Sequence, residues 1–342
     1  MKILIISPHP RFGGGSTANQ NIAAMLTRQG HDVVYADEFL KADSSLEFQL
    51  TDIPVYKCRM FKKRVITRYI KVNKFDMVIC GVPQMMAFYF LNFAFLRLFS
   101  NVKIGIIFHS LCIANNIKGK IFERLIAFST LFTDHLFYVS GYTKRIWRKY
   151  LPLRWTSAKH HIIHNAVPDA NVRNVLAADR PRISLVGRLS PEKRPHIFCN
   201  FAEELSEKYE FVVWGDGPMS DELVAKYSSK VKFMGYESNP DKIYSNTDIL
   251  MLTSEFENCP MVILEARTYG VPTLTVNVGG ISEILQDGVN GLFFDESLTT
   301  AEVDLKITDI IGNYTKYQDG CHQTKVTLDL ASKTWDDAVS DR

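Results

Sequence analysis

The sequence lacks the segments that take a chain across or into a membrane. Met1–Ile6 is apolar but no longer than one strand, so we expect no secretion signal. The longest apolar stretch, Met85–Phe99, is interrupted by Asn92 and Arg97. It is also shorter than the roughly 20 residues that span a bilayer. We therefore expect a cytoplasmic protein that has no membrane-spanning helix.

Two further absences exclude classes of site. The six cysteines are scattered, with no C-x-x-C pair and no spacing typical of a metal site, which argues against a disulfide scaffold and a zinc motif. No G-x-G-x-x-G follows a strand, so the fingerprint of dinucleotide-binding proteins is missing. An oxidoreductase with a nicotinamide or flavin cofactor is therefore disfavoured.

Charge is divided unevenly along the 342 residues. Residues 1–170 hold 23 Lys and Arg against 10 Asp and Glu, whereas residues 171–342 hold 17 against 27. The first half is thus strongly basic and the second acidic, which predicts different partners for the two halves. A basic half suits anionic lipid, an anionic acceptor or nucleic acid, but no nucleic-acid motif accompanies it, and we expect none to bind.

Apolar strands alternate with helical patterns in both halves. Lys2–Ile6 and Met77–Cys80 are continuous apolar runs, as expected of parallel strands covered on both faces. Ser16 is a candidate N-cap for the first helix. The alternation predicts an α/β fold with doubly wound parallel sheets, in which ligands bind beyond the carboxyl ends of the strands. We place an N-terminal domain at 1–170, a C-terminal domain at 171–325 and a terminal crossover helix at 326–342.

Two glutamates flank a predicted helix at Pro260–Tyr269. Glu257 precedes the helix and Glu265 lies more than a turn inside it. Pro260 suits the first turn, whose free N–H groups and dipole favour a diphosphate. Carboxylates are good acceptors for sugar hydroxyls. Two solvated glutamates beside a helix start are the plainer alternative.

Two cations lie on a loop that directly follows a predicted strand. Arg188 and Lys193 can neutralise a pyrophosphate there without a metal ion. Ordinary surface charges are the alternative. In the first domain, Gly13–Gly15 separates the first strand from the first helix and permits close approach of the backbone to a ligand, or forms only a flexible turn.

These segments together resemble the retaining glycosyltransferases of family 4. The resemblance covers nearly the whole chain and is strongest from Arg188 to Phe294. It implies the GT-B fold, with two Rossmann-like domains that face a central cleft. The matching segments are Glu257 and Glu265 for E-x-seven-E, Gly187–Lys193 for G-R-L-x-x-E-K, Gly215–Pro218 for G-D-G-P, Gly279–Glu283 for G-G-x-x-E, His164–Val167 for the interdomain segment and Trp335–Asp337 for the start of the terminal helix.

The resemblance also implies roles. Arg188 and Lys193 would bind the diphosphate, Glu265 the ribose and Glu257 the hydroxyls of the donor sugar. His109 would lie against that sugar, although a lone His after a strand is often a hydrogen-bonded core residue. The expected catalytic set is Glu257, Arg188, Lys193 and His109; the expected donor-binding set is Gly13, Gly14, Gly15, Arg188, Lys193, Gly215, Asn258, Cys259, Pro260, Met261 and Glu265. No metal or other cofactor is expected, since the nucleotide sugar is a substrate.

Two basic segments suggest contact with an anionic membrane. Residues 57–74 hold eight basic residues and no acidic one, and the pattern predicts an amphipathic helix. Its apolar side would contain Cys58, Phe61, Val65, Tyr69 and Val72, and packing of that side on the sheet is the alternative. A second basic and aromatic patch contains Lys144, Arg145, Trp147, Arg148, Lys149 and Trp155.

The sequence as a whole predicts a retaining hexosyl- or N-acetylhexosaminyltransferase. It would move a sugar from a UDP- or GDP-sugar to a glycan or lipid-linked acceptor at the inner face of a bacterial membrane. The pathway would be lipopolysaccharide, O-antigen or capsule synthesis. A nucleotide-sugar 2-epimerase of the same fold and a catalytically inert partner of another transferase are the alternatives.

Overall fold

The structure is a computed structural model that describes residues 1–7, 14–37, 53–57, 63–109, 117–149, 156–170, 172, 174–177, 179–295, 297 and 299–340. The chain divides into two compact units. The first contains Met1–Ala166 and Leu328–Arg342, and the second contains Val167–Thr327. The sequence places the corresponding boundaries at residues 170 and 325.

The first unit is a parallel sheet covered by helices on both faces. Its strand order is β3-β2-β1-β4-β5-β6-β7, so the direction of winding reverses between β1 and β4. The elements are β1 (Lys2–Ser7), α1 (Gly14–Arg28), β2 (Asp32–Asp37), β3 (Val55–Lys57), α2 (Lys63–Val72), β4 (Met77–Cys80), α3 (Pro83–Phe88), α4 (Phe90–Phe99), β5 (Lys103–Phe108), α5 (Ile117–Ser129), β6 (His135–Tyr138), α6 (Gly141–Arg148) and β7 (Lys159–Ile162).

The second unit repeats this plan with six parallel strands in the order β10-β9-β8-β11-β12-β13. Winding reverses between β8 and β11. The elements are β8 (Arg182–Val186), α7 (Pro195–Leu205), β9 (Glu210–Trp214), α8 (Ser220–Tyr227), β10 (Val231–Gly235), α9 (Pro240–Tyr244), β11 (Ile249–Leu252), α10 (Met261–Thr268), β12 (Thr273–Val276), β13 (Gly291–Phe294), α11 (Thr300–Gly312) and α12 (Tyr314–Thr324). The predicted α/β class with two doubly wound parallel sheets is confirmed.

The last helix, α13 (Leu328–Ser340), belongs to the first unit although it follows the second in the chain. Trp335 is almost fully buried, with its ring 4.9 Å from that of Phe137. Nε2 of His31, in the turn between α1 and β2, lies 2.9 Å from Oδ1 of Asp336 on α13. The helix therefore completes the core of the first unit.

Several predicted element boundaries are wrong. The helix predicted over 57–74 is α2, which covers only Lys63–Val72, because Lys57 pairs with Asp37 as the last residue of β3. Ser16 is not an N-cap, since α1 begins at Gly14 and Ser16 is buried within it. Pro260 occupies the N-cap position of α10 rather than its first turn.

The segment after β12 contains one short helical turn. It is a single 3-10 turn at Ile281–Glu283, and it directly follows Gly279 and Gly280. In the part of the chain that the structure describes, no helix is both long and apolar enough to cross a membrane.

Candidate functional site

The loops that follow β8 and β11 are joined by hydrogen bonds where the winding of the second sheet reverses. The guanidinium of Arg194 donates to the carbonyl oxygens of Thr253 and Ser254, at 3.0 and 3.1 Å. The hydroxyl of Thr253 donates back to the carbonyls of Lys193 and Arg194. These bonds fix the two loops side by side at the carboxyl edge of the sheet, the position at which doubly wound sheets bind ligands.

Lys193 and Glu257 meet at this junction. Nζ of Lys193 lies 2.5 Å from Oε1 of Glu257, and the hydroxyl of Ser254 donates to the same oxygen at 2.8 Å. Glu257 is only 8% exposed, so the ammonium neutralises a buried carboxylate. Both of these bonds fall on Oε1, and the lone pairs of Oε2 are of the kind that accepts from hydroxyls.

Directly after Glu257, α10 begins without a side-chain cap. Pro260 is its N-cap residue and makes no side-chain hydrogen bond to the first turn. The first N–H groups of a helix have no partner within the helix and, with its dipole, attract an anion. Cys259, Pro260 and Met261 are buried around this end, and Asn258 is partly buried.

Glu265 lies farther along α10 and is held by a tyrosine. The buried hydroxyl of Tyr244 lies 2.8 Å from Oε2 of Glu265. Burial raises the pKa of Glu265, while the bond from Tyr244 acts in the opposite direction. The tyrosine fixes the orientation of the carboxyl group, so that its other oxygen can meet a ligand in one defined geometry.

Glycines allow the neighbouring loops to approach this junction. Gly215, at the end of β9, has φ +147°, and a Cβ there would lie 1.8 Å from the carbonyl oxygen of Gly187. Gly279 has φ +64°, and a Cβ would lie 1.8 Å from the carbonyl oxygen of Glu257. The loops after β9 and β12 therefore contact the same junction through their backbones. Arg188, on the loop after β8, is exposed.

The first unit has a polar cluster at its own reversal point, between β1 and β4. The side-chain amide of Asn19 on α1 donates to the Ser7 hydroxyl at the end of β1 and to the Gly81 carbonyl after β4, at 3.0 Å each. Its Oδ1 lies 2.7 Å from Nε2 of His109, which follows β5. A Cβ on Gly15 would lie 3.8 Å from the imidazole.

This network fixes the tautomer of His109. Because the Asn19 amide nitrogen makes two donor bonds, its oxygen must accept, and Nε2 of His109 must bear the proton. Burial lowers the pKa of His109 to about 4, so the ring is neutral near pH 7. Its Nδ1 is then the unprotonated ring nitrogen. Gly14 is the exposed first residue of α1, and Gly13 lies outside the described residues.

Family models cover both units of the chain. Residues 12–171 match the model described as Glycosyltransferase Family 4, and residues 168–323 match Glycosyl transferases group 1. The chain belongs to the group 1 glycosyltransferases. The enzyme class expected from the sequence is therefore confirmed at the level of a glycosyltransferase.

Curated relatives match part of this glycosyltransferase. The O-antigen biosynthesis glycosyltransferase WbnH of Escherichia coli is 30% identical over 140 residues, which are 40% of this chain and 40% of WbnH. The UDP-Gal:alpha-D-GlcNAc-diphosphoundecaprenol alpha-1,3-galactosyltransferase of Escherichia coli is 27% identical over 123 residues, 33% of this chain and 32% of that enzyme. The matched segments thus span less than half of these relatives.

Solved structures share the fold over the full length. HepE of Anabaena, in complex with UDP and glucose, superposes with a TM-score of 0.81 at 16% identity and covers 100% of both chains. The lipopolysaccharide outer core galactosyltransferase WaaB gives 0.72 at 18% identity over 99% of each. These neighbours support the GT-B assignment for the glycosyltransferase.

The structure brings together some of the predicted site residues. Lys193, Glu257 and the start of α10 meet at one junction, while Gly15 and His109 lie together in the first unit. Sequence reasoning missed Ser254, Tyr244 and Asn19. A polar residue on the buried face of α1 is a readable signal for Asn19, whereas Tyr244 resembles any core aromatic.

The structure divides the residues of the predicted membrane-binding faces between the core and the surface of the glycosyltransferase. Val72, assigned to the apolar side of the helix over 57–74, is 69% exposed, while Ile70 is buried in the core and Tyr69 packs 5.7 Å from Phe75. Trp147 is also fully buried, so α6 is a basic surface without that aromatic. Cys58, Phe61 and Trp155 lie outside the described residues, as does the side chain of Val65.

Among the described residues, no group of three or more His, Cys, Asp or Glu is arranged to hold a metal ion. The charges at the junction after β8 and β11 come from Lys193, Arg194, Glu257 and the helix end.

Proposed function

We propose that the protein is a retaining glycosyltransferase that moves a hexosyl or N-acetylhexosaminyl group from a UDP- or GDP-sugar to a glycan or lipid-linked acceptor. The donor binds the second unit and the acceptor binds the basic first unit. The observation that supports this most is the Lys193–Glu257 pair beside the uncapped start of α10. One cation, one carboxylate and one helix end there match the parts of a nucleotide-diphosphate sugar.

Each part of the donor has a matching group. Lys193, Arg188 and the first N–H groups of α10 bind the diphosphate, and Glu265 accepts from the ribose hydroxyls. Oε2 of Glu257 accepts from a hydroxyl of the sugar. His109, as a neutral imidazole, would lie against the donor sugar. Gly215 permits close approach of the loop after β9.

The reaction breaks the bond between the anomeric carbon and the diphosphate oxygen and forms a bond to an acceptor hydroxyl, which loses its proton. The diphosphate leaves with one more negative charge than it had as an ester. Fixed cations and helix N–H groups that face this charge stabilise the transition state more than the bound donor. On this proposal the enzyme needs neither a metal ion nor another cofactor.

The acceptor class rests on the named relatives. O-antigen synthesis and a diphosphoundecaprenol-linked substrate appear in the names of two of them. We therefore propose a role in bacterial lipopolysaccharide, O-antigen or capsule synthesis, at the cytoplasmic face of the membrane. The strongly basic first half of the chain suits an acceptor that bears a diphosphate.

Incubation with UDP- and GDP-sugars, with and without a diphosphate-linked saccharide, tests this function. We expect nucleotide diphosphate release that depends on the acceptor, and a product whose anomeric configuration, read by NMR, equals that of the donor. An inverted product would contradict retention. Conversion of the donor sugar without any acceptor would instead indicate a 2-epimerase, and normal transfer by Glu257→Ala and Glu265→Ala enzymes would assign catalysis to a partner.

A further inference from the structure

Two neighbouring helices of the first unit expose large apolar side chains in regular stripes. Four residues on α4 and four on α5 are 42% to 78% exposed. Within each helix they follow one another at spacings of three or four residues, apart from one adjacent pair on α4, so each set lies along one side. The residues are Leu91, Phe95, Leu98 and Phe99 on α4 and Ile117, Ile121, Leu125 and Phe128 on α5.

One aromatic contact joins the two helices. The ring of Phe90, at the start of α4, lies 5.6 Å from that of Phe128 near the end of α5. Farther along α4, the rings of Phe95 and Phe99 are 4.8 Å apart. The eight exposed side chains are hereafter the α4–α5 face, and its two helices are joined at the Phe90–Phe128 contact. A soluble protein rarely leaves so many large apolar groups together without a partner.

The exposed apolar residues of α4 are not the ones that pack the helix on the sheet, because the opposite side of α4 does so. Phe93 and Leu96 are fully buried and already pack the helix on the sheet. Only Asn92 and Arg97 among its ten residues are polar. A helix that is apolar all round needs an apolar surrounding on every side.

Basic residues lie on the helices of the α4–α5 face and on the neighbouring α2. Helices α2, α4 and α5 hold eight Lys and Arg, and their one acidic residue, Glu123, is buried. Nζ of Lys71 lies 4.2 Å from the ring centroid of Phe95, and Lys120 and Arg124 are exposed on α5 between its apolar residues. This combination of charge and apolar surface complements an anionic lipid bilayer. A two-fold pair of copies would instead bring the same cations together.

We propose that the α4–α5 face inserts into the interface of an anionic lipid bilayer and holds the enzyme there. The inference deepens the proposed function, on whose lipid-linked acceptor it rests. It assigns the contact to α4 and α5 and places Lys71 of α2 at the edge of the contact. The apolar side chains insert among the lipids, and Lys71, Lys120 and Arg124 attract the anionic headgroups.

Co-sedimentation of the full chain with vesicles tests the proposal. Wild type should bind vesicles that contain both phosphatidylglycerol and phosphatidylcholine more tightly than vesicles of phosphatidylcholine alone. Leu91→Gln with Leu98→Gln on α4, or Ile117→Gln with Ile121→Gln on α5, should each weaken binding at least about tenfold. All four side chains are more than half exposed, so these changes leave the core intact.

Matched controls use equally exposed leucines elsewhere. Leu305 on α11 and Leu330 on α13 are 70% and 66% exposed, and Leu305→Gln with Leu330→Gln should bind vesicles like wild type. Lys120→Gln with Arg124→Gln should weaken binding to the phosphatidylglycerol vesicles only.

Three results would overturn the inference. The first is that wild type does not bind vesicles. The second is that the control and the α4–α5 variants lose vesicle affinity equally, and the third is that wild type forms a concentration-dependent dimer that only the α4–α5 variants abolish.

Sugar transfer to a water-soluble acceptor separates this inference from the proposed function. Normal transfer without vesicle binding rejects only the membrane face, and vesicle binding without transfer rejects only the proposed function.

Discussion

Lys193 stands between two anions, the buried carboxylate of Glu257 and the diphosphate that we propose as its ligand. Without a donor it neutralises the carboxylate, which would otherwise be a buried charge with one hydroxyl partner, from Ser254. When a diphosphate binds, the ammonium can contact both anions. The same residue thus supports the fold of the loop and binds the donor.

Replacing Lys193 by Met should reveal both roles. We expect donor affinity to fall by about tenfold to a hundredfold and the free energy of unfolding by about 1–3 kcal/mol. Calorimetric titration with the donor and thermal unfolding measure the two effects. The matched control is Lys208→Met, which breaks an ion pair to Asp304 on the surface of the same unit. Equal effects of the two substitutions would refute a donor role for Lys193.

Tyr244 is a positioning residue for Glu265. Tyr244→Phe keeps the ring and removes the hydroxyl that lies 2.8 Å from the carboxyl group. We expect the KM for the donor to rise about fivefold to tenfold, with kcat little changed. The reason is that the Glu265 carboxyl group, which we propose binds the ribose, loses its fixed orientation.

Tyr227→Phe is the control for this substitution. Its hydroxyl lies 2.6 Å from Oδ1 of Asn200, and the residue is equally buried in the same unit. A KM that rises to the same extent in both variants would show a general effect on stability and reject the positioning role.

The lowered pKa of His109 predicts a pH dependence of stability. Its pKa is about 4 in the folded chain and about 6.5 unfolded, so the unfolded chain binds more protons between these values. The stability that neutral His109 contributes is complete above pH 6.5 and is lost as the pH falls toward 4. We expect the melting temperature of wild type to fall more between pH 7 and 5 than that of His109→Gln. Identical pH profiles would contradict a buried, neutral imidazole.

At the scale of elements, the donor junction depends on loops that approach one another through glycine. Gly187 and Gly215 have nearly the same φ, +145° and +147°. They differ in surroundings: a Cβ on Gly215 would collide with the Gly187 carbonyl, while no atom lies within 4 Å of one on Gly187. The pair therefore separates backbone strain from steric collision.

Alanine at these two positions should lower the free energy of unfolding by unequal amounts. We expect Gly187→Ala to lower the free energy of unfolding by about 1–2 kcal/mol, as an unfavourable backbone conformation does. Gly215→Ala should lower it by clearly more, because the loops must also separate. Urea unfolding of the two variants measures the difference. If both lost the same amount, close contact of the loops after β8 and β9 would be refuted.

Strands were easier to predict than helices and the site. Met77–Cys80 was predicted with its observed bounds because a buried parallel strand is a continuous apolar run. The helix predicted over 57–74 is too long, because the basic residues continue from the end of β3 into α2 and give no sign of where the strand ends. Glu257 and Lys193 were identified by motif, but their bond joins residues 64 positions apart and depends on the order of the strands.

For the whole molecule, the same plan occurs twice. Asn19 and His109 lie at the carboxyl edge of the first sheet, and Lys193 and Glu257 lie where the winding of the second reverses. The second half of the chain has ten more acidic than basic residues, yet its proposed ligand is an anion. The local field of Lys193, Arg188 and the start of α10 must therefore outweigh the net charge of that half.

Hydrogen exchange of the full chain with and without a UDP- or GDP-sugar tests the central claim, that the donor binds where the loops after β8 and β11 meet. We predict slower exchange of the amides in Gly187–Arg194 and in Thr253–Thr268 when a cognate donor is present at millimolar concentration. No protection by any nucleotide sugar, or protection confined to residues outside these two segments, would contradict the account.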